Sequence, residues 1–501
     1  MSTKDKIKKY KEYQKKMSAY GLMLGTASVD KETIAPKKGN KYRNEMFNII
    51  YGELFSLETN PDYIALVDEL SKEDLGEELN RDLYLAKKGL EEVTKFSKEE
   101  AMEFNLAVSE SSDAWLEAKT KNDYSLFDKH IQKLIELSKK RANKRNPDVV
   151  PYNLMLDDYE EGMTIEKYDE FFGLIKEELI PLIKEIDAKK DYIDDSFLYK
   201  YYPKAKQEEF NKELLKYINF DPSWGYLSET EHPFTSGLSK NDIRITTNYD
   251  EHNVASNIFS VIHEAGHGHY EHNVDEKYEG TNIKNISSGM HESQSRFLEN
   301  YIGRRKSFWV NLYPKLQELF PENLKDVTID DFVKAINLSR CSLIRTDADE
   351  LTYPVHILIR YEIEKGIFDG SIDVSQLDQI WNQKYKEYLG LDVPSVKEGI
   401  LQDMHWGSAY FGYFPTYALG SAIGAQLLNS MEKKLDIDDL LENNKFKDIM
   451  EYLKENVQHD GALHNYDYVL KRATGEKFNP SYYIDYLKKK YSTIYGIEST
   501  F

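Results

Sequence analysis

Val-Ile-His-Glu-Ala-Gly-His-Gly-His-Tyr, residues 261–270, carries His263 and His267 four positions apart with Glu264 between them. On a helix that spacing puts both histidines on one face, one turn apart, where both imidazoles reach a single metal ion. The glutamate then stands beside a water on that metal and can take its proton. The stretch predicts a buried helix, a metal centre and hydrolysis of a peptide or similar amide. A solvated helix with two chance histidines fits less well. Ile258, Val261, Ile262 and Ala265 surround the same helix with apolar groups. Seven of the 12 histidines also fall within residues 232–291, so the clustering is not diffuse. A buried histidine pair needs a polar partner, and a metal supplies one.

Hydrolytic zinc takes three protein ligands and keeps one position open. A continuation H-E-x-x-H-x-x-G-x-x-H is excluded, because Tyr270 and Asn273 occupy those places. A glutamate from a later helix is the alternative. Glu271, Glu276 and Glu279 lie too close along the chain for an easy return. Glu292, in Gly289-Met-His-Glu-Ser-Gln-Ser-Arg-Phe-Leu-Glu-Asn300, is better placed on the next helix. Glu299, two turns on, is the fallback.

Working outward, apolar residues recur at helical intervals over 41–58, 61–71, 97–119, 124–143, 164–187 and 206–218. After the metal helix (253–273) the same pattern predicts helices over 287–311, 329–342, 347–365, 375–388 and 438–456. One strand is expected, Asp242–Tyr249, with Ile243 and Ile245 on one face and Asp242, Arg244 and Thr246 on the other. It is read as a wall of a peptide cleft, because an edge strand pairs with extended backbone. Residues 221–237 read as a long aromatic loop. No Pro/Gly/Ser-rich linker or repeat divides residues 1–501, so a single two-lobed unit is expected.

A net charge of −21 excludes nucleic acid and anionic membrane as natural partners. The lysine-rich start carries Ile7, Tyr10, Tyr13 and Met17 at helical spacing, so it reads as an amphipathic helix and not as a leader. The sole cysteine, Cys341, rules out a disulfide framework and reads as a buried, inert thiol in a helical pattern. Together these features predict a soluble cytoplasmic protein.

Several separate motifs fit one family. His232-Pro-Phe234, Asp242-Ile-Arg-Ile-Thr246, His263-Glu-Ala-Gly-His267, His291-Glu-Ser-Gln294, Ile344-Arg-Thr-Asp-Ala-Asp-Glu350 and Gly399-Ile-Leu-Gln-Asp-Met-His-Trp406 follow one another from residue 232 to 406. In these the chain resembles the M32 metallocarboxypeptidases of the carboxypeptidase Taq type. The zinc motif is shared by many families; the last two motifs together are specific. The resemblance implies a mainly α, two-lobed, neurolysin-like fold with a deep central groove and a small sheet beside the zinc helix. It implies a homodimer, zinc (or cobalt in its place) on His263, His267 and Glu292, and removal of single residues from peptide C-termini with broad specificity.

The expected mechanism makes Glu264 the general base and then the acid. The oxyanion needs a donor beside the metal, for which His405 is the first candidate and Tyr413 and Tyr417 the alternatives. Recognition of a free C-terminus requires a carboxylate receptor, and an arginine fork suits it. Arg345 is the first candidate and Arg244 the second, with His232 on the neighbouring loop. A structural ion pair of Arg345 with Asp347 or Asp349 is the competing role. Orientation of the zinc histidines is the alternative role for Asp349 and Glu350. A zinc oligoendopeptidase of the M3 type and a non-catalytic peptide-binding scaffold are the alternatives in function.

Overall fold

The helical periodicity is realised nearly throughout: 69% helix against 3% strand makes this a mainly α protein with one small sheet. The computed structural model describes residues 1–189 and 192–497. The elements that build the site are α1 (Thr3–Thr33), α2 (Asn40–Glu58), β1 (Gly225–Glu229), β2 (Thr235–Ser239), β3 (Asp242–Thr247), α3 (Val254–Asn273), α4 (Ser288–Arg296), α5 (Tyr353–Asp369) and α6 (Pro415–Glu432).

Two apolar cores form. The larger gathers α3 to α6 and most other helices. The smaller belongs to the N-terminal helices, with Tyr10, Tyr63, Val67, Leu70, Leu83 and Leu90 at its centre. Between them runs a groove of about 920 Å³. Met17 and Leu22 of α1 and Leu54 of α2 line one side; β2, α3, α4 and α6 line the other.

The metal helix α3 is capped by Asn253, whose side chain accepts from the Ser256 N–H. It is buried nearly all round, with Val261, Ile262 and Ala265 fully enclosed, as expected of a helix through the centre of a large core. Gly266 decides what crosses it. A Cβ there would lie 2.6 Å from the Gln294 carbonyl oxygen and the Ser295 Cα. The backbones of α3 and α4 therefore touch one residue before His267, which only glycine permits.

The sheet has the order β1-β3-β2, with β1 parallel and β2 antiparallel to β3. Ile243 and Ile245 are buried against α3, as their alternation predicts. Two expectations are corrected. The strand ends at Thr247 and is central, so β2, not β3, offers an edge to the groove. Residues 221–237, read as loop, contain β1 and the start of β2. Both strands are short and weakly alternating, so periodicity does not mark them.

Three expected helices break or end early, and the one expected over 347–365 begins only at Tyr353. The one expected over 287–311 passes into a π-helical turn, Phe297–Ile302, breaks at Gly303, and restarts as Lys306–Leu319. The one expected over 329–342 stops at Ile336, where the Asn337 side chain donates to the Val333 and Arg304 carbonyls at 2.8 and 3.0 Å. The one over 438–456 breaks at Asn444, whose φ is +58°. Cys341 thus lies on a connector and is half-buried, not inside a helix. Burial and nearby Asp187 push its thiol up to about 12, so it is protonated at neutral pH. Among the described residues no helix is long and apolar enough to cross a membrane.

Candidate metal centre

α3 presents the His263 and His267 rings 4.9 Å apart, and α4 brings Glu292 against them. Glu292 Oε2 lies 3.7 Å from His263 Nε2 and 3.5 Å from His267 Nε2. Among the described residues these three form the one group of His, Cys, Asp or Glu with ligand atoms close enough for a metal, all within 4.8 Å. Gly420 of α6 makes room, since a Cβ there would sit 2.7 Å from the Glu292 side chain.

The donor set fits a divalent transition metal. His263 Nδ1 lies 2.8 Å from Glu299 Oε2. Burial opposes a charge on this ring, but Glu292 and Glu299 outweigh it and raise its pKa above the usual histidine value; in the neutral ring, an Nδ1–H donated to Glu299 leaves the Nε2 lone pair facing Glu292. Two imidazole nitrogens and one carboxylate oxygen then converge with lone pairs toward one point, which suits a cation. Burial opposes ionisation of Glu292, but Arg296 and the histidines outweigh it and hold its carboxyl well below the usual range. Burial likewise works against Glu299, yet Arg296 and His263 draw it down to about 2. Burial, with His291 beside it, lowers His267 to about 3, so it is the neutral ligand form. His267 Nδ1 is buried without a hydrogen-bond partner among the described residues. The ring is fixed instead by stacking on His291, 4.3 Å away and nearly parallel. His291 Nε2 is in turn 3.1 Å from Glu271.

Glu264 faces the groove and is 7% exposed. Its carboxyl is raised by burial, partly offset by His263 and Thr235. The Thr235 hydroxyl of β2 donates to Glu264 Oε2 at 2.6 Å. Sequence reading passed over Thr235, although it directly follows the His232-Pro-Phe234 motif.

The remaining candidates divide. Tyr413 and Tyr417 line the groove together with Thr416. His405 stands behind them, with Nε2 3.3 Å from the Tyr417 hydroxyl and its ring 4.3 Å from that of Phe414. Burial lowers it to about 4 and keeps the imidazole neutral. Arg345 opens a short 3-10 turn before α5; it is buried behind Tyr417, 5.1 Å from that ring, and like Arg244 is not among the groove-lining residues. Its Nε and Nη2 reach Asp403 Oδ1 at 3.0 and 2.8 Å, and its Nη1 donates to Tyr353 at 3.1 Å. Its ion-pair partner is therefore Asp403, not Asp347 or Asp349. Asp403 also binds Arg360 on α5.

Arg244 pairs with Asp242 on the sheet and is not among the groove-lining residues. His232 is exposed, next to Pro233 and Phe234, which do line the groove. Asp349 and Glu350 do not touch the histidines, a correction with a clear cause. Asp349 accepts from the Leu351 and Thr352 N–H groups in the turn that leads into α5, and Glu350 is paired with Lys490. Glu299, expected only as a fallback ligand, is the residue that orients His263.

With that geometry in place, comparison with known proteins is informative. A family model described as carboxypeptidase Taq (M32) metallopeptidase matches residues 9–491. Carboxypeptidase 1 of Bacillus subtilis is 43% identical over 492 residues, covering 97% of this chain and 98% of that protein. Thermostable carboxypeptidase 1 of Thermus thermophilus is 32% identical over 501 residues, with 97% and 98% covered. The crystal structure of the M32 carboxypeptidase from Deinococcus radiodurans superimposes with a TM-score of 0.95 at 30% identity, covering 98% of this chain and 100% of that one.

Proposed function

This chain belongs to the carboxypeptidase Taq (M32) metallopeptidase family and is a metallocarboxypeptidase; from that premise we propose that His263, His267 and Glu292 hold zinc, that cobalt can replace it, and that Glu264 is the general base. The convergence of two Nε2 atoms and Glu292 Oε2 in the groove, with Glu264 beside them, carries the reading. A divalent metal there supplies a Lewis acid for the scissile carbonyl and lowers the pKa of the attacking water. The endopeptidase and scaffold alternatives fall away, since both relatives are named carboxypeptidases.

In this reading Thr235 holds the Glu264 carboxylate by one oxygen. The other oxygen is left to take a proton from water and return it to the leaving amine. Tyr413 or Tyr417 donates to the oxyanion, and neutral His405 backs Tyr417. Arg345 answers the substrate carboxylate. Three of its N–H groups are engaged by Asp403 and Tyr353, so about two of the usual five remain for an incoming carboxylate. Arg244 and His232 stay as outer candidates for peptide contact at the sheet end of the groove. A homodimer and a cytoplasmic location complete the reading; light scattering on the purified protein tests the first.

Two results are expected. A peptide with a free C-terminal acid should lose its last residue, and its C-terminal amide should react about 10–100-fold more slowly in kcat/KM. That is the worth of a hydrogen bond to a charged group, about 1.5–3 kcal/mol. Equal rates would remove Arg345 from carboxylate recognition. Separately, Glu299→Ala should weaken metal affinity by about 10–100-fold in a chelator competition, because it removes the acceptor that fixes the His263 tautomer. Unchanged affinity would mean that His263 needs no such partner.

A further inference from the structure

Glu292 has two carboxylate oxygens, and the structure treats them differently. Oε2 faces the two imidazoles, with the Ser295 hydroxyl 3.2 Å away. Oε1 is taken by Arg296, whose Nε donates to it at 2.7 Å. The same guanidinium donates through Nη1 to Glu299 Oε2 at 3.1 Å, the atom that also receives His263 Nδ1. One side chain thus braces both the candidate ligand carboxylate and the carboxylate that orients His263. Arg296 is itself held. It is largely buried, and its guanidinium lies 4.5 Å from the centre of the Tyr353 ring. Its place is set by helix geometry, four residues after Glu292 and three before Glu299.

We propose that Arg296 is the positioning residue that makes Glu292 a one-oxygen ligand and so keeps a coordination position free for the attacking water. The inference rests on the reading of His263, His267 and Glu292 as the metal ligands. A carboxylate binds a divalent metal through one oxygen or two. A hydrolytic zinc site works with three protein donors and an open place. Capture of Oε1 by a guanidinium withholds the fourth protein donor. A planar fork is needed, because two acceptors on different residues are served in fixed directions, which an ammonium cannot reproduce.

Affinity alone does not decide the matter. Removing a cation near the site strengthens metal binding by charge, while loosening Glu292 and His263 weakens it. Coordination number decides it. The experiment is cobalt substitution of the full-length protein, with visible absorption read at saturating metal for wild type, Arg296→Met and Arg296→Lys. Arg296→Lys keeps the buried charge and covers the case in which Arg296→Met does not fold. Wild type is expected to give the intense bands of a four-coordinate ion. Both variants are expected to give bands weaker by severalfold, as Oε1 joins the metal.

Identical spectra in wild type and in every variant that folds would overturn the proposal. So would a wild-type spectrum that already shows the weaker bands of higher coordination. If wild type takes up no cobalt at all, or if His263→Ala still gives the wild-type spectrum, the ligand assignment itself fails and the proposal goes with it. That result is distinguishable, because it appears without any change at Arg296.

Discussion

Glu264→Gln is expected to retain its metal and to lose about 10²–10⁴-fold in kcat, the usual contribution of a positioned general base. Glutamine has the size of glutamate and still offers an oxygen to the Thr235 hydroxyl, which donates to Glu264 Oε2 at 2.6 Å. Packing around the 7%-exposed side chain should therefore survive. What is lost is the capacity to accept a proton from water and hand it to the leaving amine. Metal content by atomic absorption, beside single-turnover rates on one unblocked peptide, separates the two properties. A variant that turns over within about tenfold of wild type, below the range for a lost base, would exclude Glu264 from that role.

Asp403→Ala is expected to cost about 3–5 kcal/mol of folding stability, the typical penalty for leaving buried charge without its partner. Asp403 receives Arg345 through one oxygen at 2.8 and 3.0 Å and Arg360 through the other at 2.6 and 2.8 Å. Both guanidiniums are buried, with Arg360 fully enclosed. Urea unfolding of wild type and variant measures the difference, and a loss under about 1 kcal/mol, the size of a surface pair, would show that the pair relaxes into solvent. The pH dependence has a definite sign. Burial works against the Asp403 carboxylate, but Arg360 and Arg345 outweigh it and hold it well below the usual range. The unfolded chain then binds the proton first. The stability from Asp403 is fully present above the ordinary aspartate pKa of about 3.9 and is lost progressively as pH falls below it. The gap between wild type and Asp403→Ala should narrow in that window and stay constant above it.

The metal site was the most legible part of the chain. His263, Glu264 and His267 share one helix, so their relation follows from 3.6 residues per turn and needs no knowledge of the fold. The Glu292 assignment came next. Excluding the Gly/His continuation called for a later carboxylate, and α4 brings Glu292 within 3.5–3.7 Å of both imidazoles. Helix positions were legible as far as apolar spacing was; their ends were not. Apolar residues resume on both sides of the breaks near Gly303 and Asn444, but the breaks themselves, Gly303-Arg-Arg-Lys306 and Glu442-Asn-Asn-Lys445, carry none.

Partners between distant elements were misread. Asp349 and Glu350 sit near Arg345 in the chain, and a place beside the histidines was the alternative for them. Asp349 instead spends its oxygens on the turn that leads into α5, and Glu350 on Lys490. The acid that meets His263 is Glu299, and the acid that meets Arg345 is Asp403. Asp403 was already in view in the Gln-Asp-Met-His-Trp motif, but no local spacing connects it to Arg345.

By itself the sequence determined that this is a helical protein with two histidines one turn apart on a buried helix, a glutamate between them and a later glutamate as the candidate third member of the cluster. The histidine pair and Glu264 follow from covalent spacing along one helix, which folding does not alter; the late glutamate followed from excluding the Gly/His continuation. The tertiary structure alone decided which oxygen of Glu292 faces the centre, which acid orients His263, which aspartate holds Arg345 and which strand edge meets the groove. Those choices depend on how closely two backbones approach, and at Gly266 that distance is set by the absence of a side chain.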